Sequence, residues 1–94
     1  MEGQASISAD ILARYAADAA IEVEGVRALA GRRGAKVEGE NGVRVELHLE
    51  VEWGAAIPDL GRTVQDRVGE YLAQMADVEP AEVEVIVDQI GPAA

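Results

Sequence analysis

"VRVELHLEVEWG", residues 43 to 54, is the stretch whose reading decides the fold. Val43, Val45, Leu47, Leu49, Val51 and Trp53 alternate with Arg44, Glu46, His48, Glu50 and Glu52. Successive side chains of a strand point to opposite faces, so this alternation predicts a strand with one apolar and one charged face. The apolar face must be covered by another layer, while the charged face meets water or a partner.

Working outward, Gly54 closes the strand and Pro58 fits the first turn of a helix, where its missing N–H sacrifices no bond. Ile57, Leu60, Val64, Val68, Tyr71, Leu72 and Met75 recur at helical spacing, which predicts a helix over 57–75. Gly61 and Gly69 weaken it by about 1 kcal/mol each relative to Ala, and are expected to let it lie close to the sheet. "AEVEVIVDQI", residues 81 to 90, reads as the last strand, with Val83, Val85 and Val87 inward and Glu82, Glu84, Ile86 and Asp88 outward. Upstream of the decisive strand, Asn41-Gly42 is a two-residue hairpin signal and predicts a short partner strand over about 35–40. At the start, Ser8 is placed to cap a helix over about 9–23, with Gly25 as its stop. Between them "VRALAGRRGAK", residues 26 to 36, has no clear period; Val26 and Leu29 are expected to pack back on the core.

The order is helix, strand, strand, helix, strand. The economical solution is an α+β two-layer sandwich, a three-stranded sheet with two helices on one face. The last strand is expected parallel to the decisive one. One domain over residues 1–94 is expected, its ordered core spanning about 7–90.

Composition narrows the function. Phe and Cys are absent, so the core must come from Val, Leu, Ile and Ala, and no disulfide framework exists. A Cys-free chain suits a reducing cytoplasm. No basic segment followed by an apolar run marks a signal peptide, and no apolar run reaches the ~20 residues that span a bilayer. The formal net charge is -10. Residues 1–44 carry six basic and seven acidic side chains, whereas residues 45–94 carry two basic and eleven acidic. Such a half repels phosphate backbones and anionic lipid.

The candidate chemistry is sparse. His48, the single His, has carboxylates at Glu46, Glu50 and Glu52 but no second His and no Cys to share a metal. A hard cation takes carboxylates that converge from a loop, and a strand face spreads them. Carboxylates at alternate strand positions lie about 6.5 to 7 Å apart, but nothing forms a pocket around them. No catalytic residue, cofactor or metal ligand is assigned. Gly31-x-x-Gly34, with Arg32, Arg33 and Lys36 around it, has the spacing of a nucleic-acid backbone clamp. That alternative, a small nucleic-acid-binding module using the basic loop, has the setting against it. A clamp lies between two helices, and here the glycines lead into a strand.

"ISADILARYAADAAIEVEGV", the run Trp53-Gly54, Ile57-Pro58 and Val64-Gln65, and the closing "VEVIVDQI" together resemble the alkaline-shock-protein family of bacterial envelope stress response proteins. The resemblance covers roughly residues 7 to 90. It implies a small α+β domain, no enzymatic activity, a cytoplasmic and often self-associating protein, and in some members a separate membrane-anchoring partner. Many members have Ser where Ala56 stands, so the second helix loses a cap here. The expected function is that of a non-enzymatic scaffold near the cell envelope, peripheral at the membrane through a partner and not inserted itself. The expected interaction residues are Glu46, His48, Glu50, Glu52, Glu82 and Glu84 on an acidic sheet face. Arg32, Arg33 and Lys36 form a basic tip, which in head-to-tail contact would meet the acidic strands of another copy.

Overall fold

The computed structural model describes residues 7–31, 34–39 and 42–92. Helix α1 (Ala9–Ile21) is followed by strands β1 (Val26–Leu29), β2 (Ala35–Glu38) and β3 (Arg44–Val51), then helix α2 (Ile57–Ala76) and strand β4 (Glu82–Ile90). The α+β two-layer class stands. Among the described residues the expected three strands are four, because "VRAL" at 26–29 is a strand, with Val26 and Leu29 packed on the core as expected.

The extra strand does not widen the sheet. β4 pairs with β3 in parallel along its whole length, from Arg44 to Val51. A strand has two edges, so β1 and β2, both antiparallel to β3, must share the other one. β1 lies along Leu49–Val51 and β2 along Arg44–Leu47. They are two halves of one lane, interrupted by an excursion that starts after Ala30 and ends at Gly34. His48 bridges the gap with its backbone: it accepts from the Ala30 N–H at 2.7 Å and donates to the Gly34 carbonyl at 2.7 Å. Among the described residues the sheet therefore keeps three lanes, with the break in the edge lane falling between Ala30 and Gly34.

Both helices cover one face. Ser8 caps α1 as expected, its hydroxyl accepting from the Ile11 N–H at 3.2 Å. α1 buries Leu12, Ala16, Ala19 and Ala20, and ends at Ile21, shorter than the predicted 9–23. α2 buries Leu60, Val64, Val68 and Leu72, one residue per turn. Its predicted stripe is wider than the observed one, since Ile57 and Met75 are exposed. Its N-cap Ala56 makes no side-chain bond, consistent with the lost cap. Asp77 ends it in the left-handed conformation, its N–H donating to the Ala73 carbonyl at 3.1 Å. Tyr15 and Tyr71 join the helices edge to face, with ring centroids 5.9 Å apart. That geometry suits the ring quadrupoles. Gly61 and Gly69 do not mark a close approach, because a Cβ on either would meet open space.

Among the described residues the buried hydrophobic core is Val, Leu and Ala alone, with Val45, Leu47, Leu49 and Val51 of β3 at its centre. Isoleucine, expected among the core residues, stays at the margins. Trp53 also departs from the expected pattern. It is not the last inward residue of the strand, for β3 ends at Val51 and the Trp53 side chain is 66% exposed. The backbone turns at Gly54, with φ +86°. The hairpin between β2 and β3 is present; Asn41 lies outside the described residues.

Candidate functional site

The uncovered face of the sheet collects most of the predicted interaction residues. Arg44, Glu46, His48 and Glu50 leave β3 on that side, since the intervening Val45, Leu47 and Leu49 are buried. Cross-strand register sets Glu84 opposite Glu46 and Glu82 opposite Arg44. On the other lane Lys36 stands opposite Glu46, and Glu38 opposite Arg44. Ala28 and not Arg27 pairs with Glu50, yet Arg27 reaches the Glu50 carboxylate at 3.4 Å.

The charge balance of this face differs from the expected one. Arg27, Lys36 and Arg44 stand among six carboxylates, those of Glu38, Glu46, Glu50, Glu82, Glu84 and Asp88. Arg44 pairs with Glu82 at 3.2 Å and Lys36 with Glu38 at 3.9 Å. These pairs are largely exposed, so each contributes about 1 kcal/mol at most. The face is thus striped with both signs rather than uniformly acidic. Lys36 belongs to it, not to a separate basic tip. Arg32 and Arg33 lie outside the described residues. Glu52 leaves the face altogether, lying past the end of β3 beside Trp53.

His48 is the centre of the site. Its Nε2 lies 2.7 Å from Glu46 Oε2, and its Nδ1 lies 3.1 Å from both carboxylate oxygens of Asp88. Asp88 reaches it because of a register shift: Leu49 faces Val87 but Glu50 faces Gln89, which leaves Asp88 as an extra residue in β4. Such a bulge re-aims a side chain. Only imidazolium can donate from both ring nitrogens, so the protonated ring alone satisfies both carboxylates. The bond to Glu46, then that to Asp88, raises the His48 pKa above its ordinary value, while partial burial opposes the rise. The two carboxylates grip opposite sides of the ring and do not converge on a shared point. Among the described residues no cluster of His, Cys, Asp and Glu could hold a metal ion.

The sign of the pH effect follows. A folded pKa above the unfolded value gives stability that is fully present below the unfolded pKa, about 6.5, and lost as pH rises through the folded pKa. His48→Gln removes that contribution. The melting-temperature advantage of the parent over His48→Gln is therefore expected to shrink as pH is raised from 6 to 9 in calorimetric scans. An advantage that stays constant would contradict protonation at this site.

The Gly31-x-x-Gly34 motif receives a structural reading. Gly31 has φ +71°, a left-handed value that favours glycine. Gly34 is buried, and a Cβ there would lie 2.7 Å from Leu29 Cβ and 2.9 Å from the Ala30 carbonyl oxygen. Gly34 makes the close approach at the neck, while Gly31 supplies a left-handed backbone with open space around it. Strands flank the motif on both sides, where a backbone clamp requires helices.

Sequence reasoning missed Arg27 because the breaks at Gly31 and Gly34 hid its strand. The alternation places Asp88 outward but does not join it to His48, since the bulge leaves no mark in the pattern. Among the described residues no helix is long and apolar enough to cross a membrane. Residues 32–92 match the alkaline-shock-protein 23 family, described by its cell envelope-related function. No curated protein and no solved structure matches the chain.

Proposed function

The chain belongs to the alkaline-shock-protein 23 family, of cell envelope-related function, and on that premise we propose that it is a scaffold that self-associates through its open sheet face. Proteins of the family are non-catalytic, so the function is one of contact and not of turnover. The observation that carries it is the striped face itself. A sheet face covered by helices is apolar, and an ordinary solvated one carries scattered charge. Here cations and carboxylates from all four strands interleave on one surface. A surface bearing both signs in rows can be its own complement when a second copy is turned by a two-fold axis. Glu84 supports the same reading. It stands beside Glu46, and no cation lies within ion-pair distance of it among the described residues. A cation from another copy would offset that like-charge neighbour.

Placement in the cytoplasm, and at the membrane through an anchoring partner, belongs to the same proposal. It is supported by the family's envelope-related function together with the absence of a membrane-crossing helix among the described residues.

Reversing two charges tests the face. Glu50→Lys combined with Glu84→Lys is expected to shift the oligomer distribution toward smaller species by light scattering, with the circular dichroism spectrum retained. A parent protein that is monomeric under all conditions, or an assembly the double variant leaves untouched, refutes the proposal.

A further inference from the structure

Trp53 carries a second surface, separate from the striped face. A tryptophan 66% exposed is unusual, because its large apolar ring is normally mostly buried. This one stands between two clefts at the end of the sheet, of about 520 and 420 Å³. The larger has an apolar floor of Val23, Gly25 and Leu60, and its rim carries Glu24, Glu52 and Asp59. Gly25 suits the floor of the cleft. Its φ is +101°, and a Cβ there would come within 2.5 Å of Leu60 Cδ1.

Charge selects the occupant. Asp59 is held by Arg62 on the same helix, and Arg67 is the one cation lining the cleft among the described residues. Glu24 and Glu52 have no cation within ion-pair distance among the described residues. The smaller cleft adds Arg27, but that side chain is engaged with Glu50. Glu24 and Glu52 share the cleft lining with the exposed Trp53, and both an aromatic quadrupole and carboxylates attract a cation. Anions are repelled by a chain of net charge -10, and an uncharged apolar segment would leave the rim unpaired. The volume exceeds a single side chain and suits a few residues of extended peptide.

We propose that the Trp53 cleft docks a short arginine- or lysine-bearing segment of a partner protein, its cation stacked on the indole and paired with Glu24 and Glu52. The proposal is independent of self-association through the sheet face, which uses none of these three residues.

Trp53 is the single tryptophan, so its fluorescence reports directly on the cleft. The experiment titrates the intact chain with a peptide of alternating Arg and Gly, and with the same peptide carrying Gln for Arg. The Arg peptide is expected to change the emission saturably, and the Gln peptide to bind at least about tenfold more weakly, as loss of a desolvated cation–π contact and its ion pairs implies. Glu24→Gln with Glu52→Gln is expected to weaken binding by about fivefold or more, while Glu70→Gln with Glu79→Gln, the same change in net charge at exposed sites away from the cleft, leaves it within about twofold. Trp53→Leu, followed by calorimetry, is expected to weaken it as well. The inference is overturned if the emission does not respond, if the Gln peptide binds equally, or if both pairs of Gln substitutions weaken binding alike. The last outcome would mean that net charge alone attracts the peptide.

Discussion

Leu47→Ala is expected to cost about 3 kcal/mol of stability, within the range for a fully buried leucine that leaves a cavity. Leu47 sits in the central lane with no exposed surface. Its register neighbours are Ala35 on β2 and Val85 on β4. Ala35 is already small, so no large side chain on that side can swing into the space. The cavity therefore persists, and its cost adds to the lost transfer energy of the removed atoms. A chain of this size has roughly 5 to 14 kcal/mol to lose at typical stability per residue. The melting temperature should fall by roughly 10 to 25 °C, given the usual conversion for a small domain. Ile11→Ala is the companion measurement. Ile11 is an apolar residue of α1 but is 46% exposed, and its loss should cost under about 1 kcal/mol. Equal effects at the two positions would mean that the core does not centre on β3.

That contrast shows where sequence periodicity works and where it fades. Along β3 the period of two survives intact, because a strand flanked on both sides has no freedom to rotate its faces. Every inward residue from Val45 to Val51 was legible, and so were the outward Arg44, Glu46, His48 and Glu50. Along the helices the period of 3.6 was legible but its width was not. Ile11, Ile57 and Met75 have the right spacing and the right chemistry, yet they fall beyond the reach of the sheet. Trp53 continues the alternation by two more residues in sequence. It leaves it in space because the backbone turns at Gly54, and composition ranks Trp as a core residue.

The site was half legible for a similar reason. Residues on one strand announce their shared face, so Glu46 and His48 were found together. The partners on neighbouring strands depend on register and on bulges. Asp88 reaches His48 only through one extra residue in β4, and Arg27 reaches Glu50 only because "VRAL" pairs with β3. Neither pairing is encoded in any local pattern. The expected acidity of the face failed because it counted charges by segment, whereas Lys36 reaches the face from the predicted β2 and Arg27 from a strand that the glycines had disguised.

Those glycines give the second large effect. Gly34→Ala is expected to cost roughly 3 kcal/mol, the sum of an overpacked contact and two weakened backbone hydrogen bonds. The new Cβ would stand 2.9 Å from the Ala30 carbonyl oxygen and 3.1 Å from the Ala30 nitrogen. Both are backbone atoms, so no rotamer change relieves the contact. The neck of the excursion must open instead. Ala30 and Gly34 are the residues whose N–H and carbonyl close on His48, so opening the neck lengthens both bonds at once. Gly61→Ala provides the opposite sign. Its Cβ meets open space in the middle of α2, and replacing a helical glycine by alanine stabilises by about 1 kcal/mol. Amide hydrogen exchange separates a local from a global effect. In Gly34→Ala the His48 amide should lose protection by more than the fall in global stability accounts for, because its acceptor is Gly34 itself. If Gly34→Ala is as stable as the parent and the His48 amide stays protected, the glycine is not required by the neck. The spacing of Gly31 and Gly34 would then need an explanation outside the fold.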